Sequence, residues 1–236
     1  MNAVVFGASG GIGGALIENL IDGGAYEKVF GVSRSGAAPA GCHSLAAPSY
    51  DDDALSGIAS EISQTGPLTL CICAIGVLSN VQGLKPERSY KQQARPAFEQ
   101  VFDANVITPA LIAKHMLPVM ARDQRAVFAT LSARVGSISD NRLGGWHAYR
   151  ASKAALNMLI KNYAIEEARR NRDLIIVGLH PGTVDTPLSE PFQKNVPLAQ
   201  LFSPAKSAAH LMEVVDNLSP DASGKIFDWA GREIPP

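Results

Sequence analysis

The chain has 236 residues, 46% of them hydrophobic, and a formal net charge of −1 at pH 7. This length and apolar content suit one α/β domain with a sizeable core, and no Pro/Gly/Ser linker or run of charge divides it. A net charge so near zero gives no electrostatic basis for binding nucleic acid or an anionic membrane, so neither is an expected partner.

At the N-terminus, Ala3-Val4-Val5-Phe6 runs into Gly7-Ala8-Ser9-Gly10-Gly11-Ile12-Gly13 and then the amphipathic stretch Ala15-Leu16-Ile17-Glu18-Asn19-Leu20-Ile21. The pattern predicts a strand over 4–6, a tight turn and a helix over 12–21. Glycines admit backbone angles and close approaches that a Cβ would block. A helix N-terminus offers free N–H groups and a positive dipole end to a pyrophosphate. Strand, turn and helix in this order are the context a dinucleotide fingerprint requires, which makes Gly7, Ser9, Gly10, Gly11, Ile12 and Gly13 the expected phosphate-binding residues. No Lys or Arg precedes the apolar run, so no signal peptide is expected and the compartment is read as cytoplasmic.

A second strand over 29–33 ends at Ser33-Arg34-Ser35, where an NAD-preferring site would carry an acid for the ribose hydroxyls. Arg34 can instead pair with a 2′-phosphate, so NADP is expected ahead of NAD, with Ser33 and Arg34 as cofactor contacts. A short strand over 43–46, a helix over 53–63 and an apolar strand over 68–73 follow. The apolar stretch over 68–78 is far short of the roughly 20 residues that span a bilayer. Cys71 and Cys73 fall on one side of that strand. His43, His115, His147, His180 and His210 supply no matching ligand spacing, so the three cysteines, with Cys42, are read as reduced thiols and no metal is expected.

A helix over 98–121 contains Asn105, a poor helix former whose mid-helix position wants a reason. A strand over 126–132 leads to a helix over 147–168 carrying Tyr149 and Lys153. Residues four apart lie on one helix face, and a fixed cation is one way to bring a phenol down from its ordinary value of roughly 10 into the range useful for proton exchange. A strand over 174–179, a helix over 204–217 and a strand over 225–228 complete the chain. This alternation argues for parallel strands with crossover helices on both faces, and ligands then bind beyond the strands' carboxyl ends.

With Gly7 to Gly13, Tyr149-Arg150-Ala151-Ser152-Lys153 and Pro181-Gly182-Thr183-Val184-Asp185-Thr186 in this order, the chain resembles the short-chain dehydrogenase/reductase family over about residues 3–228. The stretches 136–141 and 144–149 look most like the subgroup of C-factor-type proteins and sniffer-type carbonyl reductases. The resemblance implies a Rossmann-type doubly wound parallel sheet in a single domain over 1–236, NADP(H)-dependent, interconverting a carbonyl and a secondary alcohol. It makes Tyr149 the proton donor or acceptor, Lys153 the group that lowers its pKa and binds the nicotinamide ribose, and Asn105 a residue that distorts its helix and holds a water linked to the lysine. Ala74 and Gly76 fall at the cofactor edge. Pro181 and Gly182 turn the chain over the cofactor, with Val184 near the nicotinamide and Thr186 near the phosphates. Residues 188–201, with Pro191, Phe192 and Pro197, form a substrate lid whose apolar pieces suit a mainly apolar carbonyl compound. A homodimer or homotetramer joined through the two long helices is also implied.

Three departures stand out. Cys73-Ala74-Ile75-Gly76 replaces the family's Asn-Asn-Ala-Gly, and Phe6 stands where Thr is usual. The family's serine, which polarises the substrate oxygen, aligns with Ala133 when Gly136 is matched. Ser132 is the expected substitute if the strand end twists, since neighbours in a strand point to opposite faces, and Ser137 is a second candidate. Loss of one such donor costs on the order of 10²–10³ in rate. The rival reading is a dinucleotide-binding regulatory or cell-signalling protein with weak or no turnover. Retention of both Tyr149 and Lys153 argues against it, because a pure binding module needs no phenol there.

Overall fold

The computed structural model describes residues 1–80 and 82–236. The N-terminal half runs β1 (Asn2–Phe6), α1 (Gly11–Gly23), β2 (Lys28–Ser33), β3 (His43–Ala46), α2 (Asp52–Ser63), β4 (Leu68–Cys73), α3 (Arg95–Phe102), a π turn (Asp103–Ile107) and α4 (Thr108–Met116). The second half runs β5 (Ala126–Leu131), α5 (His147–Glu167), β6 (Leu174–His180), β7 (Thr183–Val184), β8 (Leu201–Phe202), α6 (Pro204–Asp216), β9 (Ile226–Asp228) and β10 (Glu233–Ile234).

Every residue of β1, β4 and β5 is buried, which is why these segments read as apolar runs with Asn2, Thr69 and Thr130 their only polar members. Alternate side chains feed two cores. Val4, Phe6, Cys71, Phe128 and Ile176 pack with Leu55, Ile112, Leu156 and Ile160 of α2, α4 and α5. Val5, Ile72, Val127 and Val177 pack with Leu16, Ile17, Leu211 and Val215 of α1 and α6. The sheet order is β10-β9-β6-β5-β4-β1-β2-β3, parallel throughout except where β10 pairs antiparallel with β9. It is a Rossmann-type doubly wound sheet. The winding reverses between β1 and β4, and a crevice opens beyond their carboxyl ends.

The helix expected over 98–121 is broken. α3 begins earlier, at Arg95, and the π turn Asp103–Ile107 separates it from α4. Pro109 supplies a cause, because its ring has no N–H to donate and crowds the carbonyl four residues back, that of Asn105. Pro118 similarly ends α4 in the 3-10 turn Leu117–Val119. The two-residue strands β7, β8 and β10 are too short to leave a periodic signal. No helix among the described residues is long and apolar enough to cross a membrane.

Candidate active site

The chain leaves β1 at Gly7, whose φ is +88°. A Cβ there would lie 2.9 Å from the Ala74 carbonyl oxygen, and one on Gly13 would lie 2.1 Å from that of Gly7. Only glycine therefore lets β1, the turn and α1 approach so closely. No side chain caps α1 at Gly10, so its first-turn N–H groups are left for an anion. A Cβ on Gly11 would stand 2.8 Å from the Thr186 methyl, which puts Thr186 against the phosphate-binding end of α1.

A cleft of about 620 Å³ runs along this edge. Of the expected cofactor residues it is lined by Gly7, Ser9, Gly10, Arg34, Ala74 and Gly76. Ser33 is not part of the wall. It is buried, and its hydroxyl donates to the Ala37 carbonyl at 2.8 Å, shaping the loop that presents Arg34. The cleft also takes in Pro48, Ser49 and Tyr50 after β3, and Asp103, Ala104 and Thr108 around the π turn. Sequence reasoning missed these residues, although the rule that ligands gather beyond strand ends pointed at the loop after β3. Tyr50 holds a φ of 51°, unusual for a residue with a Cβ. Burial pushes its phenol up to about 12, against the pull of the nearby Arg34 charge. Arg34 forms no ion pair among the described residues. A cradle that a Cβ at Gly7, Gly11 or Gly13 would fill, beside an uncapped helix N-terminus, fits a dinucleotide.

At the other end of the cleft, a Cβ on Gly76 would lie 3.5 Å from Lys153 Nζ and 3.3 Å from Asn105 Oδ1. Lys153 is buried and donates to the Leu131 carbonyl at 2.8 Å, with its ammonium 5.8 Å from the Tyr149 ring centroid. Gly136 lets the loop after β5 pack on α5, since a Cβ there would meet Lys153 Cβ at 2.8 Å. Burial pushes the Tyr149 phenol up to about 12 and the Lys153 ammonium down to about 8, the latter opposed by Cys73. Lowering of the phenol by the lysine is therefore not what this arrangement produces. Burial sets both shifts, neither of which includes a contribution from the other group, and it favours the neutral forms.

Asn105, fully buried in the π turn, accepts from Val77 N at 2.8 Å and donates to Val77 O at 2.9 Å and Ser152 Oγ at 3.0 Å. Ser152 Oγ donates in turn to the Tyr149 carbonyl at 2.7 Å. The asparagine thus ties the loop after β4 to the helix bearing Tyr149, which accounts for its position. Glu87 acts on the same helix. Its buried carboxylate accepts from Ala148 N at 3.3 Å, and its carbonyl accepts from Trp146 N at 2.6 Å. Gly144, Gly145 and Trp146 all have positive φ. This turn sets the Trp146 ring edge-on to Tyr149, at 6.2 Å between centroids.

Ser132 does not take the family serine's place. Its buried hydroxyl donates to Asn157 Oδ1 on α5 at 2.6 Å, because it continues the side of β5 that carries Phe128 into the α5 core. Ser137 is also engaged, donating to Pro236 O at 3.3 Å and accepting from Asp140 N at 3.1 Å. Ala133, extended and nearly buried, offers no hydroxyl.

Pro181 and Gly182 turn the chain after β6. A Cβ on Gly182 would meet Phe202 at 2.8 Å. Val184, in β7, pairs with Phe202 of β8, so this short ladder pins both ends of the segment expected to be the lid. From that segment the Phe192 ring packs on Trp146 at 5.0 Å. A second cleft of about 680 Å³ lies between the loop after β4 and the lid, with Leu84, Lys85, Arg88, Pro191 and Phe192 in its walls.

Comparison with known proteins agrees with this arrangement. The short chain dehydrogenase family pattern matches residues 1–197. The C-signal protein of Myxococcus xanthus is 33% identical over 171 residues, 72% of this chain and 94% of its own. The NADPH-bound carbonyl reductase from chicken fatty liver superposes with a TM-score of 0.81, covering 99% of this chain and 93% of its own at 23% identity. The carbonyl reductase Sniffer of D. melanogaster gives a TM-score of 0.84, covering 100% and 99% at 20% identity. At these identities the two structures speak for the fold.

Proposed function

Because the chain belongs to the short chain dehydrogenase family, we propose that it is an NADP(H)-dependent oxidoreductase interconverting a carbonyl compound and a secondary alcohol. The observation that carries this reading is the approach of Lys153, with the Tyr149 ring 5.8 Å from its ammonium, to the Gly76 end of a glycine-built cleft. The dinucleotide, when bound, supplies or accepts the hydride. Gly7, Ser9, Gly10, Gly11, Ile12, Gly13 and Thr186 hold its phosphates, Arg34 favours the 2′-phosphate, and Ala74, Gly76, Pro181, Gly182 and Val184 border the nicotinamide end.

Tyr149, kept protonated by burial, gives its proton to the carbonyl oxygen in the reducing direction and takes it back in the oxidising one. Lys153, with its pKa brought to about 8, can exchange a proton with the tyrosine near neutral pH. Asn105 positions both through the Val77 and Ser152 contacts. With Ala133 in the serine's place, Tyr149 is the hydroxyl donor to the substrate oxygen. Residues 188–201 act as the lid, and the three free thiols support a cytoplasmic location. Exposed Ile107, Met158 and Ile165 on the π turn and α5 support a homodimer through these helices, and a monomeric mass by light scattering at micromolar concentration would remove that element.

The test is NADPH oxidation against aldehydes, ketones, diketones and quinones, with NADH and Tyr149→Phe alongside. Turnover preferring NADPH and falling at least ~10²-fold in the variant is the expected result. The absent hydroxyl at Ala133 and the likeness to C-signal favour one second reading, a dinucleotide-dependent regulatory protein. Tight NADPH binding without turnover anywhere, and a Tyr149→Phe protein with full biological effect, would favour it.

A further inference from the structure

The second cleft has an unequal set of polar groups. Its side-chain carbonyl and carboxylate acceptors each take a backbone N–H group, with Glu87 the one anion beside two cations in the wall. Asn80 Oδ1 accepts from Leu84 N at 3.0 Å, Gln92 Oε1 from Arg88 N at 2.8 Å, and the buried Glu87 carboxylate from Ala148 N at 3.3 Å. These bonds also fix the amide orientations, leaving the NH₂ groups of Asn80 and Gln92 as donors. Lys85 and Arg88 line the same cleft and form no ion pair among the described residues. The remaining walls are Ser79, Leu84, Pro86, Pro191 and Phe192. A ligand that satisfies such a cavity brings acceptors and negative charge at one end and an apolar body at the other.

We propose that the substrate is a carbonyl compound that also carries a carboxylate, held by Lys85 and Arg88 while its apolar part lies along Phe192. The assignment rests on the oxidoreductase reading, which supplies the reacting carbonyl. Phe192 packs on Trp146 and Trp146 on Tyr149, so the Phe192 wall of the cleft stands two aromatic contacts from the Tyr149 ring. The proposal sharpens the mainly apolar compound that the lid composition suggested into an amphiphilic one.

Two readouts test it. The first compares 4-formylbenzoate with its methyl ester, which share the aldehyde and ring and differ in charge. The expected result is a kcat/KM at least ~10-fold higher for the carboxylate, expressed mainly in KM and weakened at high salt. In Lys85→Gln/Arg88→Gln the ratio drops to near one, and in Lys85→Glu/Arg88→Glu it inverts. Thermal melting of each variant checks that it folds. The second readout is calorimetric titration of the protein without dinucleotide, using 4-methylbenzoate and 4-methylbenzamide. Binding of the acid alone, lost in the double glutamine variant, supports the cleft assignment independently of turnover. If both aldehydes are reduced equally and neither ligand binds, the assignment is overturned while the reductase reading stands. If neither aldehyde is reduced but the acid binds through Lys85 and Arg88, the reverse holds. A preference that survives both charge-removing substitutions would also overturn it.

Discussion

At residue 133 a methyl group occupies the place where a hydroxyl would polarise the substrate oxygen, and the two neighbouring serines are bonded elsewhere. Ala133→Ser is therefore expected to raise kcat by about ten-fold or more, toward the size of a typical oxyanion donor's contribution. Ser132→Ala should behave differently. It leaves kcat within a few-fold but costs about 1 kcal/mol of stability, because the half-buried Asn157 carbonyl oxygen loses its donor. A serine at 132 that proved essential for turnover would restore it to the site. Tyr149, Lys153 and Asn105 were legible because residue type and helical spacing carry their signal. Ser132 was misread because one residue of register decides which way a strand-end side chain points, and no spacing rule resolves that. The depressed Lys153 pKa was equally hidden, since burial depends on what packs over a side chain. Carbon-13 NMR of the lysine side chains should show one ammonium titrating near pH 8.

At the scale of elements, the π turn is the least regular helical segment and holds the site together. Asn105→Ala would strip partners from Val77 N–H, Val77 C=O and Ser152 Oγ at once. A loss of about 2–4 kcal/mol in urea unfolding is expected from two or more orphaned polar groups, with weaker NADPH binding because Gly76 adjoins Val77. An Asn105→Ala protein with an unchanged midpoint and Kd would show that the turn is held by Pro109 alone. The strands and the flanking helices were legible from apolar runs and periodicity. The break in the helix was carried by the family likeness and by Pro109, a signal that apolar periodicity across the segment overrode. The ladder of β7 and β8 was invisible because two residues carry no period, yet it anchors the lid and so sets where Phe192 can sit.

At the scale of the whole molecule, two buried basic groups tie stability to pH. His180, at the carboxyl end of β6, has an Nδ1 atom without a hydrogen-bond partner among the described residues. Burial holds its pKa down to about 4, with Asp228 pulling it up and Arg134 and Lys153 pushing it further down. The unfolded chain binds this proton at ordinary histidine pH, near 6.5, so between about 6.5 and 4 the unfolded state holds more protons. The His180 share of stability is then full above pH 6.5, declines as pH falls, and is lower by about 3 kcal/mol at pH 4. Lys153 gives a slope of the same sign in a higher window, with stability rising between about pH 8 and 10.5. Asp51, held low by Ser49, and Asp52, held low by Lys114, lose their share only as pH drops below their ordinary value of 3.8. The window from 6.5 to 4 thus belongs mainly to His180. Against a typical total of roughly 5–15 kcal/mol, that is a large fraction. Urea midpoints should fall steadily from pH 7 to pH 4.5 in the wild type and flatten in His180→Gln. Equal slopes in the two proteins would mean that the imidazole is hydrated and titrates normally.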